Sequence, residues 1–159
     1  MELISMNVCK KKLAILWFVS YLFIFLIIFV QTIYGRYDDQ FSDVWTWLNQ
    51  NTLPTLSLII SIFVVDVLEY PSVDKMVDDF YYKFCFWGCF IYLTILLLTI
   101  AFEYTATCHI ETRINGIVYQ GKMSPLEYLK KSNSWLSPIQ ALVSVLLGVF
   151  FIKKSQVAP

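Results

Sequence analysis

The sequence predicts an all-α integral membrane protein with four transmembrane helices. Apolar residues make up 58% of the 159 residues and charged residues only 15%, which leaves too little charged surface to cover a soluble domain of this size. Four apolar runs are separated by polar segments, and lysines flank the first and the last run. These runs predict one domain, residues 1–159, built as two helical hairpins with a small outer cap and helices over residues 13–34, 53–70, 84–102 and 135–152.

The first helix, residues 13–34, contains no charged side chain and is long enough to span a bilayer with some tilt. Because the run is longer than that of a signal peptide and lacks a small-x-small cleavage site, we expect it to be retained. Lys10, Lys11 and Lys12 precede it. The positive-inside rule then predicts a cytoplasmic N-terminus and, after four crossings, a cytoplasmic C-terminus.

A polar, aromatic connector, residues 35–52, is predicted to lie on the outer face. Trp45 and Trp47 in this connector, and Trp135 at the start of the fourth helix, are expected to anchor in the headgroup layer, which favours indole rings. Pro54 suits the first turn of the second helix, because the N–H that proline lacks is unsatisfied there anyway.

The second helix is predicted to carry acid near its inner end. Its uncharged run, residues 53–65, rises only about 20 Å, which is short of the roughly 30 Å hydrocarbon core. Asp66 therefore lies at or near the acyl boundary, and Glu69 follows it by three positions. An intramembrane acid of this kind is either an interfacial tether that reaches water or a functional group.

Small residues at helical spacing predict close contacts within or between subunits. Helices two and four carry such residues four positions apart, and these are Ser57 and Ser61, Ser137 and Ala141, and Ser144 and Gly148. The two serines of helix two could instead bond back to their own backbone. Because a four-helix unit of this size buries few side chains by itself, we expect a homo-oligomer in the lipid bilayer.

The four cysteines do not predict a disulfide framework. Cys85 and Cys89 form a small patch with Gly88 on helix three, and we interpret them as packing residues because a redox motif needs two intervening residues and an accessible thiolate. Cys108 and His109 have no partner at metal-site or catalytic-triad spacing, so we expect no special chemistry from them.

The outer segment, residues 104–134, predicts a hairpin and a helical turn. Asn115–Gly116 is the signal for a type I′ turn between two β-prone runs. Ser124 and Glu127 form a capping-box pattern with Pro125 at the first helical position, which predicts a short helix through Lys131.

The starts of helices two and four resemble each other. Trp47–Leu48 followed by Pro54 corresponds to Trp135–Leu136 followed by Pro138, and each opens the second helix of a hairpin. The similarity indicates two related hairpins in parallel orientation. Alternatively, any helix that starts in the outer leaflet favours tryptophan and proline.

The residues exclude several functional classes. We find no nucleophile with a base and an orienting group, no metal-ligand cluster and no phosphate-binding glycine loop, so we expect no catalytic residues, no metal, no cofactor and no enzyme. The formal net charge of +0 argues against direct binding of nucleic acid.

Two functions remain open. The protein is a membrane sensor or anchor whose outer cap responds at the envelope and whose inner loop and tails hold a cytosolic protein partner, or it is a small oligomeric ion channel or pore-forming effector. In a channel, Ser57 and Ser61 would line the path and Asp66 or Glu69 would form a cation-selective ring. These acids lie mostly on a different helical face from the serines, so a continuous polar stripe is weak and the sensor or anchor is favoured.

The chain resembles small four-span membrane proteins of bacterial antiphage defence loci, such as the membrane subunit of the Kiwa system. The residues that carry the resemblance are the run Leu53 to Leu58 and the start and end of helix four, Trp135 to Pro138 and Leu147 to Phe151. The resemblance covers most of the chain and rests on hydrophobic segments. It implies an oligomer of the bacterial inner membrane that senses phage attack and works with a cytosolic DNA-binding partner protein.

Overall fold

A computed structural model of the protein describes residues 3–37, 40–68, 76–106, 110–114, 117–121 and 124–152. Within them the fold is built from four α-helices of 28 residues each, so each helix is about 42 Å long. The helices are α1 (Met6–Ile33), α2 (Phe41–Leu68), α3 (Asp79–Ala106) and α4 (Pro125–Ile152). The helical fold class predicted from the sequence is confirmed.

Three of the four helices are long and apolar enough to cross a membrane, which indicates a membrane protein. These stretches are Met6–Ile33, Asp79–Glu103 and Pro125–Phe151. By the same measure of length and composition, applied to the described residues, α2 does not qualify, and its first half contains the polar run Asn49, Gln50 and Asn51. Four crossings, the direction of the termini and a homo-oligomer therefore stay predictions.

The helices begin earlier than the apolar runs predict. Helix α2 begins at Phe41 instead of near residue 53, so most of the predicted outer connector is helical. Helix α4 begins at Pro125 instead of near residue 135, and the predicted short helix runs into it without a break. Polar side chains in the first halves of α2 and α4 form hydrogen bonds within the bundle. These two helices therefore extend beyond their apolar runs.

The predicted cap at Ser124 is confirmed, although it begins α4 and not a separate short helix. The Ser124 Oγ accepts a hydrogen bond from the Glu127 N–H at 3.1 Å, and Pro125 is the first helical residue. The two other prolines among the described residues lie inside helices. Pro54, predicted in a first turn, lies near the middle of α2, and Pro138 occupies the same position counted from the start of α4.

Two pairs of short antiparallel strands complete the fold. Strands β3 (Ile110–Ile114) and β4 (Ile117–Gly121) form the predicted hairpin, in which Ile114 is paired with Ile117. Strands β1 (Leu3–Ser5) and β2 (Met76–Asp78) lie just before α1 and α3 and pair with each other. The β1–β2 pair was not predicted, because strands of three residues are too short to show an alternating pattern.

The helices surround a shared core in which α1 packs against α2 and α3, and α4 packs against the same two helices. Helices α1 and α3 both start beside the β1–β2 pair, so they run in the same direction. Trp17 of α1 stacks on Tyr92 of α3 with ring centroids 5.9 Å apart. Both side chains are fully buried, as are Leu13, Ile24, Ile28, Leu48, Ile59, Leu96, Leu129, Leu136 and Leu147.

Among the described residues, the two halves of the chain share one order of elements, to which the second half adds the β3–β4 hairpin between its helices. Each half has a three-residue strand, a 28-residue helix directly after it and a second 28-residue helix with a proline at the same distance from its start. The middle residues of the strand pair, Ile4 and Val77, are paired, as in strands related by a two-fold axis. This order supports two related hairpins in parallel orientation. Trp47 and Trp135, which suggested the similarity, lie at different distances from their helix starts.

Candidate functional site: a buried ion pair and an interhelix polar row

A buried carboxylate lies where α1 and α3 end. We call its surroundings the Glu103 cluster, which consists of Gln31, Arg36, Tyr37 and Glu103. The Glu103 side chain is 0% exposed and the Arg36 side chain 22%. Oε1 of Glu103 lies 3.3 Å from the donor Nε of Arg36, and Oε2 lies 3.2 Å from the donor hydroxyl of Tyr37. Both carboxylate oxygens thus have a donor, as a buried charge requires.

Tyr37 links the carboxylate to Gln31. Its hydroxyl lies within hydrogen-bond distance of Glu103 Oε2 and of Gln31 Oε1. A hydroxyl has one proton, and the charged carboxylate is the stronger acceptor. Exchanging the nitrogen and the oxygen of the Gln31 amide, which leaves its shape unchanged, then gives the phenol oxygen an N–H donor. Burial, and next the charge of Glu103, raise the pKa of Tyr37, so the phenol stays neutral and donates.

A glycine turn after α1 brings Arg36 and Tyr37 to Glu103. The Arg36 N–H binds the Gln31 carbonyl at 3.1 Å and the Gly35 N–H binds the Thr32 carbonyl at 3.0 Å, the two bonds of a Schellman motif. Gly35 has a φ of 69°, which a side chain disfavours. The turn directs the residues that follow it against α3 instead of away from the bundle.

The buried ion pair indicates a functional role more strongly than it indicates a gain in stability. Removing two charges from water costs several kcal/mol per ion, and apolar residues of similar volume often replace a buried pair without loss of stability. An ionisable group inside a membrane protein is therefore a functional candidate, and Arg36 is its partner. Because Arg36 is partly exposed, one side of the pair is within reach of water and of ligands.

A second set of polar contacts joins α2 to α4. We call it the interhelix polar row, which consists of Trp47, Asn51 and Thr55 of α2 and Ser132, Asn133 and Ser144 of α4. Trp47 Nε1 donates to Ser132 Oγ at 3.1 Å. Asn51 Nδ2 donates to Asn133 Oδ1 at 3.0 Å and to the Trp47 carbonyl at 2.8 Å. The contacts advance along both helices in the same sense, so α2 and α4 run parallel.

The polar row explains why polar side chains on one face of α2 are buried. Asn51 is 1% exposed and Thr55 is 0% exposed. Polar side chains inside a membrane bundle bond across helices, because no water is there to satisfy them. In the part of the chain that the structure describes, the side chains of the polar row bond from α2 to α4, so they hold the two helices in register.

The small residues predicted on α4 have different surroundings. The Ser144 hydroxyl lies 3.4 Å from that of Thr55, so Ser144 contacts α2 within the subunit. Ser137 and Ala141 are exposed. A Cβ built on Gly148 would meet nothing within 4 Å. Close approach within the subunit therefore involves Ser144, and the other three small residues remain candidates for contact with another copy.

The small residues predicted on α2 face outward. Ser57 and Ser61 are both exposed, and Ser61 Oγ donates to the Ser57 carbonyl at 2.7 Å. This is the alternative in which a serine bonds to its own helix backbone. Neither serine contacts another helix through a hydrogen bond among the described residues.

The predicted acids do not enter any described contact. Asp66 lies in α2, but its side chain is not among the described ones, and Glu69 lies outside the described residues. Cys108 and His109 also lie outside them. Their predicted roles stay predictions.

The three predicted headgroup anchors differ in burial. Trp47 is 2% exposed within the polar row, so its indole is not available to the headgroup layer. The reason is the early start of α2, which places Trp47 one turn before Asn51 on the inner face. Trp45 is half-buried against Phe25, with ring centroids 5.0 Å apart, and Trp135 is 39% exposed.

The cysteines of α3 are packing residues, as predicted. Cys85 and Cys89 are buried, and Cys85 Sγ lies 3.4 Å from the Leu146 carbonyl. A Cβ on Gly88 would lie 3.4 Å from Leu146 Cδ1, so the patch faces α4. Among the described residues, no group of three or more histidine, cysteine, aspartate or glutamate side chains could hold a metal ion.

The pairing of Arg36 with Glu103 was not predicted. The third helix was predicted to end at residue 102, directly before Glu103, and Arg36 lies in the predicted outer connector, residues 35–52. A usable signal was present, because Arg36 and Glu103 closely follow two apolar runs that are predicted to end at the same side of a hairpin bundle. Only the Gly35 turn shows that the two side chains meet.

Comparisons of the chain with protein-family models, with curated proteins and with solved structures found no match.

Proposed function

We propose that the chain is a multi-pass sensor or anchor subunit of the bacterial inner membrane that responds to a change at its outer face and signals to a cytosolic protein partner. The observation that carries the proposal is the fully buried Glu103 carboxylate, whose charge partner Arg36 lies on a partly exposed turn. A contact of this kind has two states, one with the ion pair formed and one in which the carboxylate has moved. An intermediate with the carboxylate buried and unpaired is strongly unfavourable.

Helix α3 offers a path from this contact to the other end of the bundle. It is continuous from Asp79 to Ala106, and strand β2 comes directly before it. Displacing the turn that holds Arg36 frees the end of α3 to move. Because α3 is a rigid helix, the movement reaches the β1–β2 pair about 42 Å away. The lysines in the first turns of α1 favour a cytoplasmic position for that pair, where a partner would bind.

The resemblance to proteins of antiphage defence loci makes antiviral defence the setting in which to test this role. In that setting the outer change is an event of phage attack on the envelope. The first candidates for a homo-oligomer contact are Ser137 and Ala141, which are exposed, and Gly148, which has room beside it, because small residues let helices approach closely.

The experiment measures whether a change at Glu103 reaches the β1–β2 pair. Met76 of β2 is 61% exposed, so a cysteine introduced there accepts a maleimide. We expect Glu103→Gln to change the labelling rate of Met76→Cys several-fold while helix content and membrane insertion stay unchanged. Asp43→Asn is the matched control, because Asp43 is an exposed acid that pairs with Lys130 at 2.9 Å near the start of α2 and α4.

Two outcomes would overturn the proposal. The first is an unchanged labelling rate in Glu103→Gln, or an equal change in the Asp43→Asn control. The second is cation flux through the wild-type protein in proteoliposomes that falls in Asp66→Asn, which would favour the channel. If the role is antiviral, Glu103→Gln also abolishes protection of cells against phage, whereas Asp43→Asn keeps it.

A further inference from the structure

Two interior prolines lie at corresponding positions of the parallel helices α2 and α4. Pro54 and Pro138 are equally far from the first residue of their helices, close to the middle of 28 residues in each case. A proline has no N–H, so the carbonyl four residues earlier loses its intrahelical donor. The helix is then free to bend at that point. Corresponding proline breaks in two repeated halves are typical of bundles whose halves move.

Side chains from two other helices bridge the break in α2. Gln140 Nε2 of α4 donates to the Gln50 carbonyl at 3.1 Å, and this is the carbonyl that Pro54 leaves without a donor. The Tyr92 hydroxyl of α3 donates to the next carbonyl, that of Asn51, at 2.6 Å. Tyr92 is 0% exposed, so this bond satisfies a phenol that water cannot reach.

The contacts between α2 and α4 differ before and after the prolines. Before them, the bonds of Trp47 with Ser132 and of Asn51 with Asn133 are short and direct. After them, the described hydrogen-bonding side chains that face each other are Thr55 and Ser144, whose hydroxyls are 3.4 Å apart. The first halves are therefore fastened together more firmly than the second halves.

We propose that Pro54 and Pro138 form a paired hinge, and that Tyr92 and Gln140 are the latch that holds it closed. When the latch opens, the first halves of α2 and α4 stay together and the second halves separate or turn. Only the use of the hinge in signalling rests on the proposed function. In that use, the hinge is the part of the bundle that changes shape between the Glu103 cluster and the β1–β2 pair.

The test uses the full-length protein in proteoliposomes with spin labels on exposed positions. One pair, Thr46 and Lys131, lies before the prolines, and the other, Ser61 and Val149, lies after them. The native cysteines are replaced by alanine, and far-UV circular dichroism checks the fold. Distances between the labels are measured by pulsed electron paramagnetic resonance.

We expect the latch variant, Tyr92→Phe with Gln140→Leu, to add a second distance population for Ser61–Val149 and to leave Thr46–Lys131 with one. Adding Pro54→Ala should remove the second population, because the new N–H binds the Gln50 carbonyl. The hinge is overturned if no second population appears, if both label pairs broaden alike, or if the second population persists with Pro54→Ala.

A second measurement keeps the proposal testable if the latch variant does not fold. In the otherwise wild-type protein, Pro54→Ala adds one backbone hydrogen bond, so amide hydrogen exchange in the following turn should slow about fivefold. Unchanged exchange would contradict a hinge at Pro54. The label distances report the hinge alone, whereas the labelling of Met76→Cys reports signalling, so the hinge and the proposed function can fail separately.

Discussion

The Glu103 cluster and the interhelix polar row both place polar groups inside a membrane bundle, but they differ in charge and in extent. The cluster has one buried carboxylate whose two oxygens depend on Arg36 and Tyr37. The row is neutral and spreads its bonds over two helices. A neutral interhelical hydrogen bond in a membrane contributes about 0.6 kcal/mol on average, whereas an unpaired buried charge costs several kcal/mol. The polar row therefore fixes the register of α2 and α4 and should tolerate the loss of one hydrogen bond. The Glu103 cluster should not tolerate the loss of its ion pair.

The largest effect is expected from separating the charges. Arg36→Leu leaves the Glu103 carboxylate buried without its base, which should lower the free energy of unfolding by about 3 kcal/mol, the low end for a broken buried pair because Arg36 is partly exposed. Arg36→Leu with Glu103→Leu should recover most of the loss. Titration with sodium dodecyl sulfate in micelles, followed by circular dichroism, measures these differences.

A matched control for this prediction is the exposed pair of Lys130 and Asp43, with side chains 61% and 48% exposed. Lys130→Ala should change stability by less than about 1 kcal/mol, because water screens an exposed pair. Equal losses in Arg36→Leu and Lys130→Ala would remove the distinction between a buried charge and a surface charge.

A smaller effect, with a dependence on pH, is expected from Tyr37→Phe. At neutral pH the variant should lose about 1.5–3 kcal/mol, the contribution of a hydrogen bond to a charged group. The pKa of Tyr37 is raised above its ordinary value of 10.0, so above pH 10 the unfolded chain loses the proton that the folded chain keeps. The contribution of this group is therefore complete below pH 10 and falls by up to about 1.4 kcal/mol per pH unit above it.

The measurement for Tyr37 is the stability difference between wild type and variant across that range. The difference should narrow as the pH rises past 10, because phenylalanine has no proton to lose. A difference that stays constant from neutral pH to pH 11 would show that the phenol does not donate to a buried charge.

The smallest effect is expected in the polar row. Asn51→Leu removes the bond to Asn133 and should cost about 1 kcal/mol, because neutral bonds in a membrane protein are weak individually. The matched control is Asn49→Leu on the same helix, since Asn49 makes no interhelix hydrogen bond among the described residues. A loss above that of Arg36→Leu would reverse the comparison and make the row the more sensitive site.

The apolar middles of the helices could be predicted from the sequence, and their polar extensions could not. Hydrophobicity locates the second half of α2, from about residue 53, but not the first half, because Asn51 and its neighbours are typical of a loop until Asn133 is known to face them. The β3–β4 hairpin and the Ser124 cap were predictable because their signals are local. The pairing of Arg36 with Glu103 was not, because it joins residues 67 positions apart through a turn whose geometry depends on Gly35.

The β1–β2 pair also has a consequence for biogenesis. Strand β1 is synthesised before its partner β2, which ends at Asp78, so β1 stays unpaired until α1 and α2 have left the ribosome. If α1 and α2 both cross the membrane, as the four predicted crossings require, the two strands emerge on the same side and can pair. A chain in which α2 fails to insert would leave the strands on opposite sides with unpaired edges. Quality-control proteases could then distinguish it from a correctly inserted chain.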